Sequence, residues 1–202
     1  MPNLHKVKLD DFFKEYAKYL SKLLNNLDFK AIRDVAHLIL QQAKKGRTVY
    51  LIGNGGSATT ASHFATDLMH CGLLNHRPII RAISLSDNLS LITAMGNDKG
   101  FEHIFSHQLE RVADKDDILI AISASGNSKN LIEAFKTAKK MDVTTVAFLG
   151  FDGGKLMKMA DHVIHVGTPK GEYGPVEDTH LFLDHMLSFY MGLLLNLEIS
   201  KK

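Results

Sequence analysis

Two short segments of the chain combine small residues and hydroxyl groups in patterns typical of phosphate-binding loops. The first, Gly53-Asn54-Gly55-Gly56-Ser57, lies between an apolar run and a helical pattern. Its glycines allow a tight turn and a close approach of the backbone to a ligand, and the free N–H groups that open the following helix attract anions. The spacing fits neither the Walker pattern nor the dinucleotide-binding pattern. Taken alone, this first loop could equally be a tight turn with a serine cap.

The second segment, Ser123-Ala124-Ser125-Gly126-Asn127-Ser128, also follows an apolar run and precedes a helical pattern. We call it the serine loop. Its three hydroxyl groups, together with the N–H groups at the helix start, could surround one phosphate. Serine donors suit a phosphate monoester that is bound and then released. The alternative interpretation is a turn in which Ser128 serves only as a helix N-cap.

Histidines and carboxylates form two further groups that could do chemistry. His63 and Asp67 are four residues apart in the helical pattern after the first loop, so they share one helix face. The last helical pattern carries Glu177, Asp178, His180, Asp184 and His185. Such side chains are costly to bury on an apolar helix unless they are paired or bind a metal. A base and an acid of this kind could also move a proton on a bound substrate.

Simpler interpretations exist for both groups. His63 on its own could be a capping or packing histidine, and Asp178 and Asp184 fit a solvated stripe of the last helix. The apolar residues among them leave little purely polar face on that helix, however. These residues are Leu181, Phe182, Leu183, Met186 and Leu187.

The elements that must position these residues alternate between strand and helix after Gly46. Short apolar runs predict five strands, at residues 49–52, 79–85, 118–122, 144–149 and 163–166. Helical patterns separate them at residues 59–74, 89–113 and 130–140, with a short one near Leu156. This alternation predicts an α/β fold, a single doubly wound domain whose five-stranded parallel sheet is covered on both faces. Ligands bind such sheets where the strands end at their carboxyl edge.

Two more helical patterns precede the first predicted strand, and Gly46 ends the second of them. The first pattern comprises Phe12, Phe13, Tyr16, Tyr19, Leu20, Leu23 and Leu24, and the second Ile32, Val35, Ala36, Leu38, Ile39 and Leu40. No strand pattern accompanies them. Residues 1–46 are therefore predicted to form a helical arm, packed on the α/β core at residues 47–202 or on another subunit, within one domain at residues 1–202.

The bulk composition narrows the classes of function. A formal net charge of +2 is too weak to argue for a nucleic-acid partner. Residues 1–10 carry charges and no apolar run, unlike a secretory signal, and the apolar tail at 187–197 is far shorter than the ~20 residues that span a bilayer. Cys71 is the single cysteine, so no internal disulfide can form. These features predict a cytoplasmic protein with no membrane partner.

Considered together, the two loops resemble the sugar isomerase (SIS) domain. The resemblance covers nearly the whole chain, including the two leading helices. Gly96-Asn97-Asp98 and Gly150-Phe151-Asp152-Gly153-Gly154 also look like segments of the phosphoheptose isomerase branch. That branch interconverts sedoheptulose 7-phosphate and D-glycero-D-manno-heptose 7-phosphate by proton transfer through an enediolate. The resemblance implies a flavodoxin-like fold, a sugar-phosphate substrate and a homotetramer with active sites between subunits.

The resemblance also assigns roles to individual residues. It implies that a zinc ion is bound by His63, Asp67, Glu177 and His185. It implies that Asp67 is the catalytic base and that His185 is the acid. The substrate would be lined by Asn54, Gly55, Gly56, Ser57, Asn97, Asp98, Ser123, Ala124, Ser125, Ser128 and Glu177.

The chain departs from the family pattern at three of these positions. Asp67 stands where the family has Glu, Glu177 where it has Gln, and Ala124 where it usually has Thr. Two imidazoles and two carboxylates remain a sound set for a divalent metal, but the added charge could move the base from Asp67 to Glu177. Two alternative functions stay open. One is a non-catalytic SIS module that regulates a replication-initiator-type partner, and the other is an isomerase of a different phosphosugar.

Overall fold

The centre of the structure, a computed structural model, is a five-stranded parallel sheet with the strand order β2-β1-β3-β4-β5. The structure describes residues 4–71 and 79–199, apart from the side chains of residues 5 and 197–199. The strands are β1 (Thr48–Gly53), β2 (Arg81–Ser84), β3 (Ile118–Ser123), β4 (Thr144–Leu149) and β5 (His162–His165). The predicted α/β class and parallel sheet are confirmed.

Seven α-helices accompany the sheet within the described residues. They are α1 (Phe12–Asn25), α2 (Phe29–Lys44), α3 (Gly56–His70), α4 (Leu89–Asp98), α5 (Ser106–Val112), α6 (Lys129–Lys140) and α7 (Tyr173–Ile199). The pattern near Leu156 forms a short 3-10 helix, Leu156–Lys158. The predicted helix at 59–74 starts earlier, at Gly56, and part of its predicted C-terminal end lies outside the described residues. None of the helices in these ranges is both long enough and apolar enough to cross a membrane.

The prediction of one helix over residues 89–113 is wrong. The chain leaves α4 after Asp98 and adopts a φ of +100° at Gly100, a value that a right-handed helix cannot contain. A 3-10 helix, Phe101–His103, and then α5 follow. The apolar periodicity continues across the break, which is why the sequence pattern does not reveal it.

The two faces of the sheet are covered by separate apolar clusters. Along β1, Val49 and Leu51 belong to one cluster, and Tyr50 and Ile52 to the other. This alternation follows from the two-residue period of a strand. Helices α1, α2, α3 and α7 supply the first cluster, whereas α5 and α6 supply the second. Both faces are therefore buried, as expected for an all-parallel sheet.

Helices α1 and α2 pack on the sheet of their own chain, which is one of the two placements that the sequence left open. All the buried residues of α2 belong to the first cluster, together with Tyr19 and Leu23 of α1. The Asp28 side chain caps α2 by accepting hydrogen bonds from the N–H groups of Lys30 and Ala31, both at 3.0 Å.

The order of the strands places a crevice at the carboxyl edge of the sheet. The chain runs outward from β1 to β2 and then returns to β3 on the other side of β1. The connections that leave β1 and β3 thus diverge to opposite faces, which opens a crevice between them. The first loop follows β1 and the serine loop follows β3, so both lie at this crevice.

Candidate functional site

The first loop turns sharply from β1 into α3. A side chain at Gly53 would clash with the backbone carbonyl of Ser57, and Gly55 adopts a φ of +54° at the start of the helix. The Ser86 hydroxyl also lies 3.3 Å from both the nitrogen and the oxygen of Gly53, so it bonds to the backbone where the strand ends. The glycines are therefore required by the turn itself.

The serine loop is ordered by its own hydroxyl groups. Ser123 Oγ accepts a hydrogen bond from the Gly126 N–H at 3.0 Å, and Ser125 Oγ accepts one from the Asn127 N–H at 3.3 Å. Ser128 occupies the N-cap position of α6, yet its side chain makes no capping hydrogen bond. The alternative interpretation of Ser128 as a simple cap is therefore not supported, and its hydroxyl is available to a ligand.

The loop at residues 150–154 packs directly against the serine loop. A side chain at Gly126 would clash with the carbonyl of Gly153, and one at Gly154 would clash with the carbonyl of Ser125. The N–H of Leu156 donates to the Gly126 carbonyl at 3.1 Å. The glycines of these two loops thus let their backbones pack directly together.

Both loops and the start of α7 line one cavity of about 180 Å³. The lining residues are Asn54, Ser57, Ile122, Ser123, Ala124, Ser125, Ser128, Tyr173 and Glu177. We call it the loop cavity. The side-chain amides of Asn54 in the first loop and Asn130 at the start of α6 bond reciprocally, at 2.8 and 3.0 Å. Because this amide is already paired, Asn54 fixes the two loops relative to each other more than it offers a free group to a ligand.

A second cavity of about 420 Å³ lies on the other side of Glu177. Its lining residues are Gly56, Thr59, Thr60, His63, Glu177, Asp178, Leu181 and His185. We call it the histidine cavity. Glu177 lines both cavities, and its Oε2 lies 2.7 Å from the place where a Cβ on Gly56 would stand. Glu177 is therefore at the junction between the loops and the histidines.

Four side chains of α3 and α7 form a group beside the histidine cavity, and two of them, His63 and His185, line it. His63, Asp67, Asp184 and His185 each offer one possible ligand atom, and these atoms lie within 4.8 Å of one another. The rings of His63 and His185 meet edge to face with their centroids 5.1 Å apart. Two imidazoles and two carboxylates fit a divalent metal of the zinc type by their donor chemistry.

The group formed by His63, Asp67, Asp184 and His185 differs at one residue from the metal-ligand set predicted from the sequence. Asp184 takes part and Glu177 does not. The interpretation of Asp184 as a residue of a solvated stripe is wrong, because its side chain is 0% exposed and lies 2.7 Å from Nδ1 of His63. Glu177 is a neighbour of the group through the cavity that it shares with His63 and His185. Its role as a metal ligand stays a prediction.

The pairing of His63 with Asp184 changes the electrostatics of both residues. The hydrogen bond to Asp184 is the main reason that the pKa of His63 is raised above its ordinary value. Burial raises the pKa of the Asp184 carboxyl, and the hydrogen bond from His63 opposes that rise in part. The titrations of the two groups are therefore linked through this contact.

Other residues singled out from the sequence lie elsewhere. Asn97 and Asp98 are exposed at the end of α4, where the Asn97 amide donates to Asp98 at 2.8 Å, and they line neither cavity. Gly55 lines neither cavity as well. Their contact with a substrate stays a prediction.

Sequence reasoning missed three residues that shape the site. Tyr173 lines the loop cavity, Asn130 holds Asn54, and Asp184 pairs with His63. A signal for Asp184 does exist in the sequence. It follows Glu177 by seven residues, which is two helical turns and therefore the same face of α7.

Comparisons with known proteins agree with this geometry. Residues 11–150 match the model of the SIS domain family. The chain is 41% identical to a phosphoheptose isomerase from Sulfurimonas denitrificans over 157 residues, which cover 77% of this chain and 78% of that relative. It is similar to the structure of a phosphoheptose isomerase from Neisseria gonorrhoeae, with a TM-score of 0.80 and 31% identity over 91% of this chain and 96% of that one. A phosphoheptose isomerase structure from Francisella tularensis gives a TM-score of 0.79 at 28% identity, over 95% of this chain and 98% of that one.

His180 belongs to the same polar segment of α7 but faces the core. Its burial leads to a prediction about the pH dependence of stability. It is 0% exposed, neither ring nitrogen has a hydrogen-bonding partner among the described residues, and burial lowers its pKa to about 4. The unfolded chain takes up this proton near pH ~6.5. Between pH ~6.5 and about 4 the unfolded chain binds this proton and the folded protein does not. The free energy of unfolding should therefore be at its full value above pH ~6.5 and should fall by up to about 3 kcal/mol as the pH drops to about 4.

We expect His180→Leu to flatten the acid limb of the stability profile, measured by urea unfolding from pH 7 to pH 4. At neutral pH the variant should be about as stable as the parent, because the buried imidazole is neutral there and leucine has a similar volume. A matched control is His37→Gln, which removes an exposed imidazole and should follow the parent at every pH. An unchanged acid limb in His180→Leu would contradict the assignment.

Proposed function

The chain belongs to the SIS domain family, within its phosphoheptose isomerase branch, and on that premise we propose that it is an aldose–ketose isomerase of a sugar phosphate. The proposed reaction converts sedoheptulose 7-phosphate to D-glycero-D-manno-heptose 7-phosphate. The observation that carries the proposal is the convergence of the first loop, the serine loop and Glu177 on one cavity, with the histidine group on the other side of Glu177. We treat residues 1–202 as one SIS unit, and the cytoplasmic location stays a prediction from the sequence.

The serine loop would hold the phosphate end of the substrate. The hydroxyl groups of Ser123, Ser125 and Ser128 line the same cavity, and the N-terminus of α6 opens beside them. Hydroxyl and backbone N–H donors at a helix start are suited to a phosphate dianion. Ala124 contributes no hydroxyl, so the remaining serines carry this binding.

The histidine cavity would hold the reacting end. Isomerisation moves one proton between C1 and C2 of the sugar, which requires a base at the face of those carbons and an acid for the oxygens. From their positions in the family pattern we assign the base to Asp67, which belongs to the group beside the cavity without lining it, and the acid to His185, which lines it. Glu177 is the rival base, since it lines both cavities and lies between the phosphate end and the histidines.

The donor set fits a zinc ion, which His63, Asp67 and His185 would bind, with Glu177 of the same cavity as the fourth predicted ligand. When bound, the ion would supply positive charge opposite the negative charge that develops on the sugar oxygens. The protein residues must still orient the sugar, exclude water and move the proton. A carboxylate bound tightly to a metal is a weak base, so the working base must be free of the metal when substrate is present.

We propose further that the chain forms a homotetramer through its helices. Several large apolar side chains of α1 and α7 are exposed in the single chain, including Phe13 at 85%, Phe189 at 72% and Leu193 at 48%. Exposed apolar surface of this kind is typical of protein–protein contacts, and closed symmetric assemblies are the common form for soluble oligomers.

The phosphate assignment predicts the effect of removing single hydroxyl groups. Each lost charge-assisted hydrogen bond should cost roughly 1.5–3 kcal/mol of binding, so Ser125→Ala and Ser128→Ala should each weaken binding of a sugar phosphate about tenfold or more. Isothermal titration calorimetry measures this directly. Ser90→Ala, at an exposed serine of α4, is the control and should bind as the parent does. Unchanged affinity in both loop variants would remove the serine loop from the phosphate site.

The choice of base predicts opposite outcomes for two carboxylates. Asp67→Asn should lose about 10²–10⁴-fold in turnover, the usual contribution of a general base. Glu177→Gln, which restores the family residue, should stay active. Turnover of sedoheptulose 7-phosphate followed by NMR, with and without zinc, separates the two cases. The reverse ranking moves the base to Glu177, and full activity in both variants without bound metal discards the mechanism.

The proposed homotetramer predicts the molar mass of the protein in solution. Light scattering at micromolar concentration should give a tetramer, and Phe189→Glu should reduce the mass by placing a charge in an apolar contact. A monomeric parent chain under these conditions would refute the assembly.

A further inference from the structure

We infer that Asp184 is a positioning residue, which accepts the Nδ1–H of His63 and leaves Nε2 as the nitrogen that faces the histidine cavity. This inference deepens the proposed function, on whose metal site it rests. It concerns a residue that the family pattern of the last helix does not include.

The contact itself is short and is set between two helices. Oδ2 of Asp184 on α7 lies 2.7 Å from Nδ1 of His63 on α3. The other carboxylate oxygen lies 3.4 Å from the Ser188 hydroxyl, one turn further along α7. A buried carboxylate requires polar partners of this kind, since an unpaired charge inside the protein is strongly destabilising.

The difference in exposure between the two side chains shows which ring nitrogen of His63 faces the protein interior and which faces the cavity. Asp184 is 0% exposed, whereas the His63 side chain is 44% exposed and lines the histidine cavity. Because Nδ1 is directed at the buried carboxylate, the exposed part of the ring is the side that carries Nε2. A carboxylate behind an imidazole selects the tautomer with hydrogen on Nδ1 and leaves the Nε2 lone pair free for a metal.

The same facts argue against Asp184 as a ligand in its own right. Its side chain is fully buried, whereas Asp67 is half-buried and His63 and His185 line the histidine cavity. Its Oδ2 is occupied by His63, so coordination would require breaking that hydrogen bond. Asp184 therefore lies behind the metal-binding side chains, and α7 supplies in consecutive positions one residue that orients His63 and one, His185, that reaches the cavity.

The decisive measurement is the tautomer of His63 in the metal-free protein. Nitrogen-15 NMR, at a pH high enough that the ring shows one protonated and one bare nitrogen, should show hydrogen on Nδ1 of His63. In Asp184→Leu, which removes the acceptor, both tautomers should appear. Asp184→Asn, whose amide can accept from Nδ1–H or donate to a bare Nδ1, should also admit the second tautomer. Ser188→Ala, which touches only the other oxygen, is the control and should change nothing. Hydrogen on Nε2 in the parent chain overturns the inference without any variant.

A second measurement tests the connection to the metal. Zinc affinity, determined by competition with a chelator, should fall about 10–100-fold in Asp184→Leu, the usual effect of losing such a supporting group. The visible spectrum of the cobalt-substituted protein should keep its coordination number in Asp184→Asn. A lost ligand in that spectrum would make Asp184 a direct ligand and overturn the inference. If the parent chain neither binds zinc nor isomerises the sugar phosphate, the proposed function fails, whereas the tautomer of His63 still decides the role of Asp184.

Discussion

The pairing of β1 with β3 is the constraint on which the rest of the site depends. These neighbours run parallel in register, from Val49 opposite Ile118 to Gly53 opposite Ile122, so the first loop and the serine loop leave the sheet side by side. The chain diverges to opposite faces at this point, which opens a crevice between the two loops. The reciprocal amide pair of Asn54 and Asn130 then fixes the two loops to each other. The crevice arises here from the topology first and from the side chains second.

Helix α7 completes the site, and the helical arm holds the start of that helix. Tyr19 donates a hydrogen bond to Glu172 at 2.5 Å, and Tyr16 donates one to Asp178, also at 2.5 Å. Burial, aided by the carboxylate partners, raises the pKa of both tyrosine hydroxyls, so they remain protonated donors. Since these two contacts flank Glu177 in the sequence, the leading helices help to set the residue that lines both cavities. The helical arm is thus part of the site's support as well as of the core.

The sequence predicted the elements well because their signals are local. Five apolar runs became five strands, and both loops lie at strand ends. The errors concern residues whose environment is set by a contact with a residue far away in the sequence. Asp184 reads as a surface residue until His63 on another helix is placed beside it, and the amide of Asn54 is paired by a residue 76 positions away. The break at Gly100 was hidden because the apolar period continues on both sides of a single backbone angle.

The two edge strands of the sheet are shorter and carry more polar ends than the strands inside it. β2 and β5 have four residues each, whereas β1, β3 and β4 have six. Arg81 opens β2, and histidines open and close β5. Short margins with polar or charged side chains are poor templates for strand addition by another chain. The two edge strands therefore offer little opportunity for edge-to-edge aggregation.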